Sequence, residues 1–205
     1  MRASRETIMA ALLNALSASV RTTFAADTQA NSGVLSNPTT TSGLFVGLPV
    51  FGGSIPRGAV ISSLSPLTVS LPATANARQA HLATGFQTIG RRVIPWQQVS
   101  AQPALFLRSI EEELDYPGTV LQRMTMKAEI FIYSNAGSDP DVVPETALNN
   151  LLDAVQNAFA PDSPMQMYTL GGLVEWCRIT GKIVKDTGDL DGQASAVVEV
   201  DITVP

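Results

Sequence analysis

The chain is poor in the residues that most often carry chemistry. Its 205 residues hold one cysteine, Cys177, and one histidine, His81. A single thiol excludes an intramolecular disulfide and any cysteine-based metal cluster. Cys177 stands in an apolar, β-prone run and reads as a small buried core residue. His81 sits in an Ala/Thr-rich segment with no second His, Cys or acid at ligand spacing, and reads as a surface or linker histidine. No stretch approaches the ~20 consecutive apolar residues of a membrane-spanning helix. Basic residues are also in the minority, 13 against 18 acidic, for a net charge of −5. That balance argues against a general nucleic-acid-binding surface, and suits a surface that DNA slides past.

Acids almost vanish between residues 25 and 88, where only Asp27 occurs and Gly, Pro, Ser, Thr and Ala dominate. Short β-like runs at 43–50, 59–64 and 67–71 are bounded by Gly52-Gly53, Pro56-Arg57-Gly58, Ser65-Pro66 and Pro72. They predict a small inserted β-meander with a thin core, resting on a neighbour.

The flanking sequence follows a conventional α/β alternation. Ser4 suits an N-cap, Glu6 the first turn of a helix, and Ile8, Leu12, Leu16 and Val20 recur every four residues. Arg2 and Arg5 ahead of an apolar run, with Ala25-Ala26 downstream, faintly suggest a secretory leader. Glu6 and Asn14 interrupt that pattern, so the segment is assigned to the first helix of the domain. Strands are expected at 91–96, 103–108 and 120–133, with 111–118 an acidic, turn-rich connection and 134–141 a polar loop. The 120–133 strand puts Met124, Met126, Ala128, Ile130 and Ile132 on one face. Pro144 opens a second helix carrying Leu148, Leu151, Leu152, Val155, Ala158 and Phe159 at helical spacing, and Pro161 stops it. After a Thr169–Gly172 turn come a strand over 173–184, an Asp/Gly loop and a last strand. In that strand Ala194, Ala196, Val198, Val200, Ile202 and Val204 alternate with polar residues, Val197 excepted. The expected architecture is α+β: a mainly antiparallel sheet with two helices on one face, plus a small β-rich insertion. Residues 1–24 and 89–205 form the α+β domain, and 25–88 the inserted module.

No set of residues assembles an active site. Glu111, Glu112, Glu113 and Asp115 could pair carboxylates or hold a hard cation, but lack the spacing of a calcium loop and read as a solvated charge run. Asp186, Asp189 and Asp191 with Gly188 and Gly192 look more calcium-like, yet serve equally as hairpin turn residues. Gly171-Gly172 opens no phosphate-binding pattern. Trp96 and Trp176 read as core or interface anchors. No catalytic, cofactor-binding or metal-binding residue is assigned, and no cofactor is expected.

Several strings together resemble the tail-terminator proteins of long-tailed bacteriophages. They are Arg92 followed by Trp96, Pro103-Ala104-Leu105-Phe106, Leu151-Leu152-Asp153-Ala154-Val155, Thr169-Leu170-Gly171-Gly172-Leu173-Val174, and Cys177-x-Ile179-x-Gly181. The ending, from Asp191-Gly192-Gln193-Ala194 to Ile202-x-Val204-Pro205, completes the set. The resemblance covers about 4–24 and 91–205 and leaves 25–88 outside the family pattern. It implies a non-enzymatic virion protein, made in the host cytoplasm. Typically six copies form a ring on the head-proximal end of the tail. The ring would stop polymerisation of the tail-tube protein and offer a surface to a head-completion or neck protein. DNA would pass its lumen without specific binding, and no membrane is involved. A neck or head–tail joining protein of the same virion is the nearest alternative. A small secreted hydrolase is a more distant one, opposed by the missing triad or metal set.

Overall fold

A computed structural model describes residues 3–44, 46–56, 58–115, 123–135 and 143–204. Helix α1 (Arg5–Val20) begins where the Ser4 hydroxyl accepts the Thr7 amide at 3.1 Å, as an N-cap should. Its four-residue stripe of Ile8, Leu12, Leu16 and Val20 is buried. Helix α2 (Pro144–Asn157) starts on proline, whose missing N–H costs nothing in a first turn, and buries Leu148, Leu151, Leu152 and Val155.

Both helices cover one face of a five-stranded sheet of order β6-β7-β8-β10-β9. The strands are β6 (Thr88–Gly90), β7 (Ala104–Asp115), β8 (Arg123–Asn135), β9 (Trp176–Asp186) and β10 (Gln193–Val204). All pairs are antiparallel except β6 with β7. The central strands keep strict register, from Ala194 opposite Ser134 to Val204 opposite Met124. A pleat sends alternate residues to one face. Met124 to Ile132 on β8 and Ala194 to Val204 on β10 therefore reach the helices together as one core. The α+β architecture expected from the sequence is the one observed.

Two strand boundaries differ from expectation. The strand expected at 91–96 is absent. β6 ends at Gly90, Arg91 turns out to meet Glu6 at 3.1 Å, and Trp96–Gln98 is a single 3-10 turn. Parallel neighbours need a crossover, and 91–103 is that crossover; Pro95, having no N–H, could not extend the ladder. The acidic run at 111–115 is strand, not connection. Glu111 stands opposite Lys127 and Asp115 opposite Arg123, so β8 supplies both a hydrogen-bond ladder and opposite charge. The remainder of that connection, 116–118, and the polar loop beyond Asn135 lie outside the described residues; Ser134 and Asn135 are the last two residues of β8.

The inserted segment is more substantial than a thin meander. Strands β1 (Thr23–Thr28), β5 (Ala77–Thr84) and β2 (Val50–Phe51) form one sheet in the order β1-β5-β2, and β3 (Ile61–Leu64) pairs with β4 (Leu67–Val69). Among the described residues twelve, from Phe24 to Leu82, form a second buried core here. β1 and β5 escape a reading by periodicity because their inward positions are largely small: Ala26 and Ala80 beside Phe24 and Leu82. Their pairing, Thr23 opposite Ala83, returns the insertion close to where it left.

Candidate functional site

The residues singled out for chemistry are scattered, and each has a local structural use. Cys177 is 2% exposed on β9, and burial pushes its thiol up to about 12, with the Asp162 and Asp201 charges adding to the effect. Alkylation proceeds through the thiolate. The smaller thiolate fraction, together with burial of the sulfur, should make labelling at neutral pH much slower than that of an exposed thiol. Fast labelling of the native chain by iodoacetamide, followed by mass, would show that β9 is not packed on the helices.

His81 is exposed on β5, in an open concavity of about 510 Å³ on the outer face of the β1-β5-β2 sheet. Arg21 leans over the Phe51 ring there, 5.6 Å from its centroid. Among the described residues no carboxylate or second imidazole lines the hollow to orient the histidine as a base. The acids of the 186–192 loop are spent on turns. Asp186 accepts the Gly188 amide, Asp189 the Thr187 hydroxyl and Asp191 the Gln193 amide, at 3.2, 2.7 and 3.0 Å. Among the described residues no group of three His, Cys, Asp or Glu side chains converges on a point. Trp96 is 36% exposed, hence no core anchor, while Trp176 is half-buried beneath the Arg178 guanidinium at 4.3 Å.

Gly171-Gly172 belongs to a device that sequence reading missed. Leu170, Gly171 and Gly172 all have positive φ, +52°, +70° and +85°, which is costly for a leucine. Asp162 holds the turn. One carboxylate oxygen accepts the Thr169 amide at 2.6 Å and its hydroxyl at 2.8 Å, and the other accepts the Gly171 amide at 2.9 Å. Burial works to raise this carboxyl, but the Gly171 and Thr169 hydrogen bonds outweigh it and hold the group below 3.8. The sign follows. A lowered folded-state value contributes stability that is complete above 3.8 and drains away as pH falls toward the folded value. The protection of the Thr169 and Gly171 amides, their exchange taken relative to that of an unstructured chain at the same pH, is therefore expected to fall below about pH 4. Asp162→Asn should show the lower protection at neutral pH and lose the acid step. An unchanged pH profile in the variant would remove Asp162 from this role. Asp27, the lone acid of 25–88, plays a similar part, accepting from Asn37 at 2.7 Å and from the Gln79 amide at 2.8 Å.

Among the described residues, strand edges are left without partners. β6 covers β7 only at Ala104–Phe106, so Leu107 to Asp115 faces outward along its free side. β9 ends the sheet at the other extreme; the Cys177 amide near its start is bonded to the Tyr168 carbonyl at 2.8 Å, and from Arg178 to Asp186 no further strand pairs with it among the described residues. Large apolar side chains stand exposed on both, Ile110 and Leu114 on β7 and Val184, 64% exposed, on β9. The β7 edge carries Glu111, Glu112, Glu113 and Asp115. Glu111 binds Lys127 at 3.0 Å and raises its pKa, and Glu112 binds Arg5. Among the described residues Glu113 and Asp115 have no ion pair within 4.0 Å. The β9 edge carries Arg178, Lys182 and Lys185, against Asp186 alone of opposite sign. Lys185 reaches back to Asn149 on α2 at 2.7 Å. Exposed edge strands are templates for pairing with another chain. No protein-family model matches this chain, and no curated protein matches it either.

Proposed function

We propose that the protein is a ring-forming structural component of a phage virion. It caps the head-proximal end of the tail tube, ends tube growth and presents a surface for head joining. One observation carries the reading: an α+β body whose five-stranded sheet is open at both ends. A subunit with two different free edges associates head to tail, and such association closes into a ring when the rotation allows. The strings that resemble tail terminators all fall on this body. Leu151, Leu152 and Val155 lie on the buried stripe of α2, Cys177 to Gly181 on β9, and the ending on β10. The paucity of catalytic groups and the acidic balance fit a channel component that DNA passes.

Electron microscopy of particles assembled without the protein tests the reading. Overlong tubes without heads are expected, and supplying the purified chain should restore a uniform length. Tails of normal length that fail to join heads would instead make it a neck protein. Normal, infectious particles would overturn both.

A further inference from the structure

The two free edges differ in charge, and their directions are fixed by the topology. β7 runs antiparallel to β8, β8 to β10 and β10 to β9. β7 and β9, at opposite ends of the sheet, therefore run in opposite directions. A second copy set beside the first in the same orientation brings its β7 against the first copy's β9 as an antiparallel pair, the commoner arrangement between strands. The lengths suit each other: among the described residues 107–115 of β7 have no strand on that side, and β9 beyond Cys177, whose amide is bonded to Tyr168, offers 178–186.

The side chains match as well. Glu111, Glu113 and Asp115 stand opposite Lys127, Thr125 and Arg123, on the sheet face turned away from the helices. Arg178 stands opposite Asp201, which itself faces Lys127, so it emerges on that same face. Two β7 edges brought together would set four acids against four, which charge disfavours. Opposite edges attract. We propose that the acidic free edge of β7 in one copy pairs with the basic free edge of β9 in the next, making the sheet continuous from subunit to subunit. This rests on the ring reading above and names its joint. The exposed Ile110, Leu114 and Val184 are covered in the process.

The test reverses each edge in the full chain. Glu113→Lys with Asp115→Lys sets two lysines at the end of the β7 edge beside the retained Glu111 and Glu112, and Arg178→Glu with Lys182→Glu makes the β9 edge acidic. These side chains are exposed apart from the helix-facing core, so circular dichroism should show wild-type folding. In sedimentation velocity each variant alone should need at least roughly tenfold more protein to assemble. An equimolar mixture should assemble within about threefold of wild type, because alternating subunits restore every joint in an even-numbered ring. Wild-type assembly should weaken with added salt, since screening shortens the reach of exposed charges. Variants that assemble like wild type would overturn this joint and leave the ring reading standing. So would a loss of assembly that mixing fails to rescue. A wild-type chain that stays monomeric and leaves tube length unaltered would overturn both.

Discussion

Leu152→Ala is expected to lower stability by about 2–5 kcal/mol, the range for emptying a well-packed leucine site. Leu152 is 4% exposed and belongs to the core that α2 shares with β8 and β10. Its neighbours on the helix, Leu148, Leu151 and Val155, are fully buried, so the hole cannot fill from the helix itself. On β10, which α2 contacts, the same core holds Ala196, Val198 and Val200, one small and two β-branched residues with little rotamer freedom to reach in. Each kcal/mol is worth about 2–4 °C in a chain of this length. A fall in melting temperature of roughly 4–20 °C should follow. Gln156→Ala, exposed on the same helix, should stay within about 0.5 kcal/mol of wild type. If both variants melt alike, α2 does not cover the sheet and the fold described here is wrong.

That core was legible before any coordinates, and the reason is periodicity. α2 repeats at 3.6 residues and β8 and β10 at two, and each is long enough for the pattern to exceed chance. What stayed hidden depends on partners remote in sequence. The carboxylates at 111–115 read as a solvated loop because nothing local shows Lys127 and Arg123 waiting across a ladder. Residues 91–96 of the crossover read as strand because Arg92-Val93-Ile94 has β character, and only the parallel neighbour demands a detour. The inserted core was underestimated because alanines fill inward positions on β1 and β5, and an alanine strand has almost no hydrophobic signature. Asp162 and Asp27 lie seven and ten residues from the nearest side chains they hold, too far for any turn motif. For assembly, the open edges follow from strand order, which no single stretch encodes.

The insertion itself supports the second large prediction: removing it should leave the α+β body folded. Thr23 and Ala83 are partners on adjacent antiparallel strands, so their Cα atoms stand only about 4.5–5.5 Å apart. A two-residue Asn-Gly turn can bridge that gap in place of residues 24–82. The cut must stop short of Phe86, which is fully buried in the core of the main body. It must also spare Gly85, at φ +87°, where an added Cβ would fall 1.8 Å from the Val20 carbonyl oxygen. The Thr84 amide, bonded to the Thr22 carbonyl at 2.8 Å, would still tie the ends together. Lost with the insertion are its own core and a few contacts to the body. Among the described residues these include the Asn150 amide on the Val46 carbonyl at 3.2 Å, the Gly85 amide on the Pro49 carbonyl, and Arg21 over Phe51. None lies in the core that joins the helices to the sheet, and the two buried clusters share no residue. A shortened chain with both helices, a cooperative melt and slow Cys177 labelling is the expected result. Under the proposed function its defect should appear in ring stability or docking. An unfolded product would show that 24–82 are required to form the body. A folded product that still caps tubes and joins heads at full efficiency would show that the insertion serves neither step.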